Sequence, residues 1–401
     1  MSTQPQRSLA RLAAAVAVVV AVLLPAAHAA EPIIEGMAIF PANPKHNHAS
    51  CVVELHDGTL LAAWYAGSGE RKSDDVVIEG AWLKKGMTAW SPKFLMADTP
   101  GYPDCNPALF AAPDNTLWLF WPTILDHRWE GALLKYLRRD QPTGEPTAWK
   151  WAASGVLHIT PKDFAAEFDR AIAALSDQEK STHSRMLDEL KKRAGDELYQ
   201  RLGWMPRVHP LLLPSGRWIL PLYSDTFSAS IMAISDDRGE TWTASRPLIG
   251  FGNIQPSLVR KKDGELVAFM RDNGHNHRIR LSRSRDDGVS WSPVVDSAFP
   301  NPGAGIEAIR LTSGRWALIY NDLPKGRHSL AVSLSDDEGE SWNWTKHVER
   351  TEPGEGQFHY PSIIQAADGM IQVTYTSSGP GRGSTIEHAR FNEAWLMAGT
   401  K

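Results

Sequence analysis

The chain has 401 residues, 22% of them charged, with a formal net charge of −4 and a pI near 6.4. That balance supplies no basic field to hold nucleic acid or an anionic membrane surface. Sixteen Trp and 31 Gly describe a turn-rich globular protein with ample core, and two cysteines, Cys51 and Cys105, are too few for a disulfide framework.

Arg7 and Arg11 precede an apolar run from Leu12 to Leu24, followed by Ala27-His28-Ala29 as a small-x-small cleavage signal. The pattern predicts a secretory signal peptide over residues 1–29 and a mature chain, 30–401, that is secreted or periplasmic. The apolar run is short for a membrane span, so no stable membrane insertion is expected after cleavage. In an oxidising compartment Cys51 and Cys105 either pair or stay buried and free. No Cys/His grouping has zinc spacing and no Asp-rich loop suits calcium, so neither a metal nor another cofactor is expected.

Six two-residue turns, each between strand-like apolar runs, then punctuate the chain: Asp57-Gly58, Asp114-Asn115, Ser215-Gly216, Asp263-Gly264, Ser313-Gly314 and Asp368-Gly369. Their first positions are 57, 101, 48, 50 and 55 residues apart. The long gap is one repeat plus a foreign segment, about residues 160–203. It opens on Thr160-Pro161-x-Asp163, a helix start, and Phe164, Phe168, Ile172 and Leu175, then Met186, Leu190 and Leu198, recur at helical spacing. Two inserted helices are expected, either packed on the rim as structure or closing over a ligand face.

The second half carries Ser-x-Asp-x-Gly-x-x-Trp three times, at Ser235–Trp242, Ser284–Trp291 and Ser335–Trp342, with the Trp residues 49 and 51 positions apart. The motif suits a turn in which Asp caps backbone N–H groups, Gly takes a positive φ and Trp buries its ring. Repeats of this length, each a hairpin-based sheet, predict an all-β, six-bladed β-propeller closed by a strand near Ile386–Phe391. Counting eight residues back from several turns places Asn106, Arg207, Gln255 and Tyr360 where the inner strands begin.

With six hairpins and three such boxes, the chain resembles the sialidase superfamily, in which this motif is called the Asp box. The resemblance implies a monomeric glycoside hydrolase acting on glycans or an acidic sugar. In that family three arginines clamp the substrate carboxylate, a Tyr assisted by a Glu attacks the anomeric carbon, and an Asp supplies a proton. Planar guanidinium groups match a carboxylate bidentately, and sialidases are the Tyr-nucleophile exception among glycosidases. By resemblance Arg271 is the second arginine, Arg327 the third and Tyr360 the nucleophile, while Gln255 stands in place of the activating Glu. Asn47 occupies the place of the first arginine and Thr376 that of its supporting Glu. Asp74 or Asp75, on the loop after the first hairpin, is the expected acid. Glu307 is a candidate for orienting substrate or acting as base, and Asn106 and Arg207 for binding it. His46, His48, His209, His275, His277 and His359 form a second constellation near the strand starts, and His48 is the general base of an alternative His/Tyr reading, a lyase or a different glycosidase. A binding propeller without turnover is the remaining alternative, because fold does not fix function.

Overall fold

The computed structural model describes residues 1–2, 31–143 and 145–399. Met1–Glu31 form one unit and Pro32–Lys401 another; the expected signal peptide lies outside the described residues. The second unit is a ring of six antiparallel sheets. Blade one comprises strands His46–Glu54, Leu60–Gly67, Val77–Leu83 and Phe94–Ala97, and blade two Ala108–Ala112, Thr116–Ile124, Ala132–Asp140 and Ala153–Val156. In blade three Met205–Pro206 and Leu211–Leu212 both pair with Trp218–Ser224, followed by Ala229–Ser235 and Thr243–Ala244. Blade four runs Asn253–Arg260, Leu266–Asp272, Arg278–Ser284 and Val295–Pro300, and blade five Glu307–Arg310, Trp316–Tyr320, Ser329–Ser335 and Trp344–Arg350. Blade six holds Gln357–Gln365, Ile371–Gly379 and Gly383–Phe391.

The ring closes differently from the sequence expectation. Gly383–Phe391 is the third strand of blade six, and the outermost is Ile34–Ala38, near the beginning of the second unit, paired from Ile34 opposite Phe391 to Ala38 opposite Glu387. Pairing an early strand with a late one in a single sheet makes closure part of the hydrogen-bond ladder.

Local chemistry explains the regularity. The second residue of every expected hairpin turn, from Gly58 (φ 80°) and Asn115 (φ 62°) to Gly369 (φ 83°), is left-handed, a conformation that Gly and Asn adopt at little cost. In the first box Ser235 Oγ donates to Asp237 Oδ1 at 2.8 Å, Asp237 Oδ1 accepts from the Thr241 amide at 2.8 Å, and the Trp242 indole donates to the Gly239 carbonyl at 3.0 Å. The other two boxes repeat the pattern around Asp286 and Asp337. Their hydrogen bonds to Ser or Thr partners hold the Asp237 and Asp337 carboxyls below the ordinary range, as fits turn caps that stay ionised. Gly239 is also fixed by space, because a Cβ there would lie 2.9 Å from the Trp118 ring.

The insertion contains four short helices rather than two: α1 (Phe164–Ala174), α2 (Asp177–Thr182), α3 (Ser184–Ala194) and α4 (Glu197–Arg201). Ser176 starts α2 through a reciprocal capping box with Glu179, and Asp196 caps α4, so polar side chains at Ser176 and Asp196 divide what the apolar spacing reads as continuous. The apolar faces turn inward. Phe164 and Phe168 are buried against Phe227, with ring centroids 4.8 and 5.3 Å away, and Phe164 also meets Trp204 edge-on at 5.8 Å. The insertion is therefore packed on the flank of blade three, and among the described residues none of its side chains bonds the central cluster described below. Removing the Phe168 ring should cost about 3–5 kcal/mol, as for other buried aromatic truncations. Denaturant unfolding of Phe168→Ala checks this, and a loss below about 0.5 kcal/mol, the level of an ordinary surface site, would show that the insertion is not anchored there.

Candidate active site

Cys51 and Cys105 are both buried and free, so no disulfide shapes the centre of the ring. The inner strands are shaped instead by backbone bulges. Eight residues before the hairpin turns of blades one, two, four and six, Ala49, Asn106, Gln255 and Tyr360 are all left-handed, with φ of 56, 43, 53 and 47°. Three of these coincide with breaks in strand register, at His48/Cys51, Ile254/Ser257 and His359/Ser362. A non-glycine residue held at positive φ costs of order 1–3 kcal/mol and clusters at functional sites, and a bulge re-aims the side chain it carries. Here it brings Gln255 and Tyr360 together across the axis.

Tyr360 is the centre of the cluster. Its phenol oxygen accepts a hydrogen bond from Arg271 Nη1 at 2.6 Å and a longer one from Gln255 Nε2 at 3.5 Å. The guanidinium carbons of Arg207, Arg327 and Arg271 lie 4.9, 5.6 and 5.8 Å from its ring centroid. The same count of eight from Ser313 falls on Gly305, where a Cβ would sit 3.2 Å from Gln255 Oε1 and 3.3 Å from Tyr360 Cδ1. Glycine is the side chain that leaves room for this convergence, and the register count extended to blade five finds it.

Histidines form the opposite wall. His48 meets the Tyr360 ring edge-on at 4.3 Å and its Nδ1 is 3.1 Å from Thr376 Oγ1, so Thr376, where the resemblance expects a Glu, pairs with the neighbour of Asn47 and not with Asn47 itself. Burial pushes His48 well below the ordinary imidazole value, and His359, His46 and Arg327 add to the shift. Arg327 Nη1 donates to His359 Nδ1 at 2.9 Å, and burial together with that arginine pushes His359 down to about 3. Both rings are uncharged at neutral pH. His46 Nε2 lies 3.3 Å from Tyr65 Oη, which donates to Glu70 Oε1 at 2.9 Å.

Several expected site residues lie elsewhere. Asn47 is fully buried and its amide donates to Asn43 Oδ1, Lys45 O and Ser384 O, at the seam between blades one and six. Strand alternation turns it away from the face shared by His46 and His48, so His48, one position on, faces the tyrosine. Asp74 is exposed and pairs with His127 at 2.6 Å. Asp75 is also exposed, and bonds from Ser68, through its hydroxyl at 2.7 Å and its amide, hold its carboxyl below the usual range, the wrong direction for a proton donor. The carboxylate that this loop sends to Tyr65 is Glu70. Arg207 and Glu307 lie beneath the cluster. Arg207 is 1% exposed and donates to Ser50 O and Pro361 O, so it supports the Tyr360 ring from below and does not reach a ligand.

Glu307 is 2% exposed and belongs to a buried network on the axis. Its Oε1 lies 2.6 Å from His209 Nδ1, and its Oε2 accepts from the Ile363 amide at 2.8 Å. The other ring nitrogen of His209 faces the Val52 carbonyl at 2.7 Å. Two acceptors flank one imidazole, so both nitrogens must donate and the ring is an imidazolium. Asn106, also buried, donates to the Tyr223 hydroxyl at 3.1 Å. His275 and His277 are both exposed in the loop between the second and third strands of blade four, outside the cluster.

The BNR repeat-like domain model matches residues 58–182 and 200–373, three quarters of the chain, and its gap falls inside the helical insertion. The chain belongs to this family. As a BNR-repeat protein it is a propeller of the sialidase superfamily, and the relatives it resembles agree. Over 181 residues it is 24% identical to the anhydrosialidase of Macrobdella decora, a stretch covering 40% of this chain and 23% of that relative, so the match spans less than a quarter of the relative's length. A protein of unknown function from Dyadobacter fermentans DSM 18053 superposes with a TM-score of 0.66 at 17% identity, covering 90% of this chain and 99% of that one. The intramolecular trans-sialidase from Ruminococcus gnavus, in complex with oseltamivir carboxylate, superposes with a TM-score of 0.65 at 13% identity, over 89% and 97% of the two chains. At these identities the structural likeness is one of fold, and the chemistry of the BNR-repeat propeller here rests on its own side chains.

Proposed function

We propose that this protein is an exported glycosidase of the sialidase superfamily that releases an acidic terminal sugar from glycans. The observation that carries the reading is the placement of Arg271 and Arg327 around Tyr360, with Arg271 bonded to the phenol oxygen. The two guanidinium groups bind the sugar carboxylate. Tyr360 faces the anomeric carbon. Both hydrogen bonds to its oxygen are donated to it, an arrangement that stabilises negative charge developing there. The neutral His48 and Thr376 pair leaves a two-arginine clamp, which favours an acidic sugar other than sialic acid, or sialic acid bound through fewer contacts.

The contact of the His48 ring with Tyr360, with His48 held neutral, favours a second reading, in which these two side chains serve as base and acid in elimination from a uronate. Incubating the purified mature chain with sialosides, uronides and rhamnosides separates the two. Release of a saturated acidic sugar is expected. A product absorbing in the near ultraviolet would establish the lyase, and turnover of the rhamnosides alone would reject a carboxylate-directed site.

A further inference from the structure

Asp74 and Asp75 are both engaged on the exposed surface, away from the cluster, whereas a carboxyl from a different blade lies beside it. Asp225 directly follows the strand Trp218–Ser224 of blade three, whose Tyr223 is buried in the same cluster and bonds Asn106. It is half-buried, and its carboxyl makes no hydrogen bond or ion pair to another described residue, whereas Asp74 and Asp75 are both engaged. The charged groups facing it are Arg271 from blade four, Glu70 and Arg71 from the blade-one loop, and Glu130 from the loop after the second strand of blade two. Burial pushes the Asp225 carboxyl up to about 6, against the opposing pull of Arg271, so it is half protonated near pH 6 and about a tenth protonated at pH 7.

The loop that carries Asp225 is held on both sides. Ser224 pairs with Ala229 across its base. Phe227 is fully buried against Phe164 and Phe168 of the insertion, and the Ser228 carbonyl accepts from the Gly252 amide at 2.9 Å while its hydroxyl accepts from Asn273 Nδ2 at 3.1 Å. The helical insertion thus has a task at the site without covering it: its aromatic face fixes the position of the Asp225 loop beside blade four.

We propose that Asp225 is the general acid of this active site, positioned by the helical insertion. The assignment rests on the glycosidase reading above. In the step, the Asp225 carboxyl gives its proton to the glycosidic oxygen as the bond from that oxygen to the anomeric carbon breaks, the bonding pair leaving with the oxygen. The resulting carboxylate takes a proton from the water whose oxygen closes the anomeric centre, which restores the acid and balances hydrolysis. Arg271 faces the carboxylate while it is charged.

The test compares wild type, Asp225→Asn and Asp225→Glu on an unactivated glycoside and on an aryl glycoside of the same sugar whose phenol leaves without protonation. Asp225→Asn should lose about 10²–10⁴-fold in kcat on the first substrate, the usual contribution of a general acid, and far less on the second. Its pH profile should lose the alkaline fall that wild type shows above about pH 6, Asp225→Glu should regain part of the rate, and all three should melt together. Equal losses on both substrates, or an unchanged alkaline limb, would reduce Asp225 to a structural residue and overturn the assignment. An active wild type with an equally active Asp225→Asn sinks Asp225 alone, whereas a wild type that cleaves no glycoside sinks the glycosidase reading and this assignment with it.

Discussion

Glu307→Ala should lower the stability of the propeller by about 3–5 kcal/mol, the cost of leaving a buried charge without its partner. The residue ties four blades at the axis: it sits at the head of blade five, accepts from the Ile363 amide of blade six and holds His209 of blade three, which in turn donates to the Val52 carbonyl of blade one. Burial alone would lower the His209 imidazole, but the Cys51 sulfur and the Glu307 carboxylate more than offset it and hold it well above its ordinary value. Burial likewise opposes ionisation of Glu307, yet the His209 charge and the N–H bonds bring its carboxyl below the usual range. The signs give a window. Because the folded pKa of His209 is raised, its contribution is complete below the unfolded imidazole value and disappears as pH rises through the folded one. Because that of Glu307 is depressed, its contribution is present above the unfolded carboxyl value and disappears as pH falls through the folded one. Wild type should be most stable between these limits, with Tm falling on the alkaline side, and His209→Gln should flatten that alkaline slope. A Glu307→Ala variant that unfolds at the wild-type denaturant midpoint would show that the network contributes nothing to closure.

Arg271→Ala should reduce kcat/KM about 10²–10³-fold, comparable to deleting one preorganised donor from an active site. The loss has two parts, because Nη1 is bonded to the Tyr360 oxygen while in the proposed function the same cation also binds the substrate carboxylate. Arg271→Lys separates them: it keeps the charge but not the planar pair of donors, so KM should recover more than kcat. The corresponding change at Arg327 should act mainly on KM, because that side chain is bonded to His359 and the Gly303 carbonyl and makes no hydrogen bond to the Tyr360 oxygen. If Arg271→Ala leaves both affinity and turnover unaltered, the two-arginine clamp is wrong.

Much of this was legible in the chain itself, for a common physical reason. Two-residue turns and Asp boxes are local: the left-handed Gly or Asn, the capping Asp and the half-buried Trp act within eight residues, so their chemistry can be read without knowing what packs around them. Six such units at near-equal spacing specify a propeller, and the same period carries the count from turn to inner strand that reaches Asn106, Gln255 and Tyr360, all three left-handed in the structure. The count also reaches Gly305, whose meaning, room for Gln255 and Tyr360, depends on neighbours from other blades.

What the tertiary structure alone decided concerns direction and company. Asn47 and His48 are adjacent in sequence, and only pleating settles that the first faces the closure seam and the second faces Tyr360. Glu307 reads as a free carboxylate until His209 and the Ile363 amide enclose it, and Asp225 reads as a loop acid until Phe227 anchors its loop and burial raises its carboxyl to about 6. The strand Ile34–Ala38 carries no local signal for pairing with Gly383–Phe391, about 350 residues away. Local backbone preferences repeat along a chain and survive in its pattern. Charge, burial and orientation arise from residues brought together by the ring, so the blades are written in the sequence of this protein, whereas the chemistry at their centre exists only once they close.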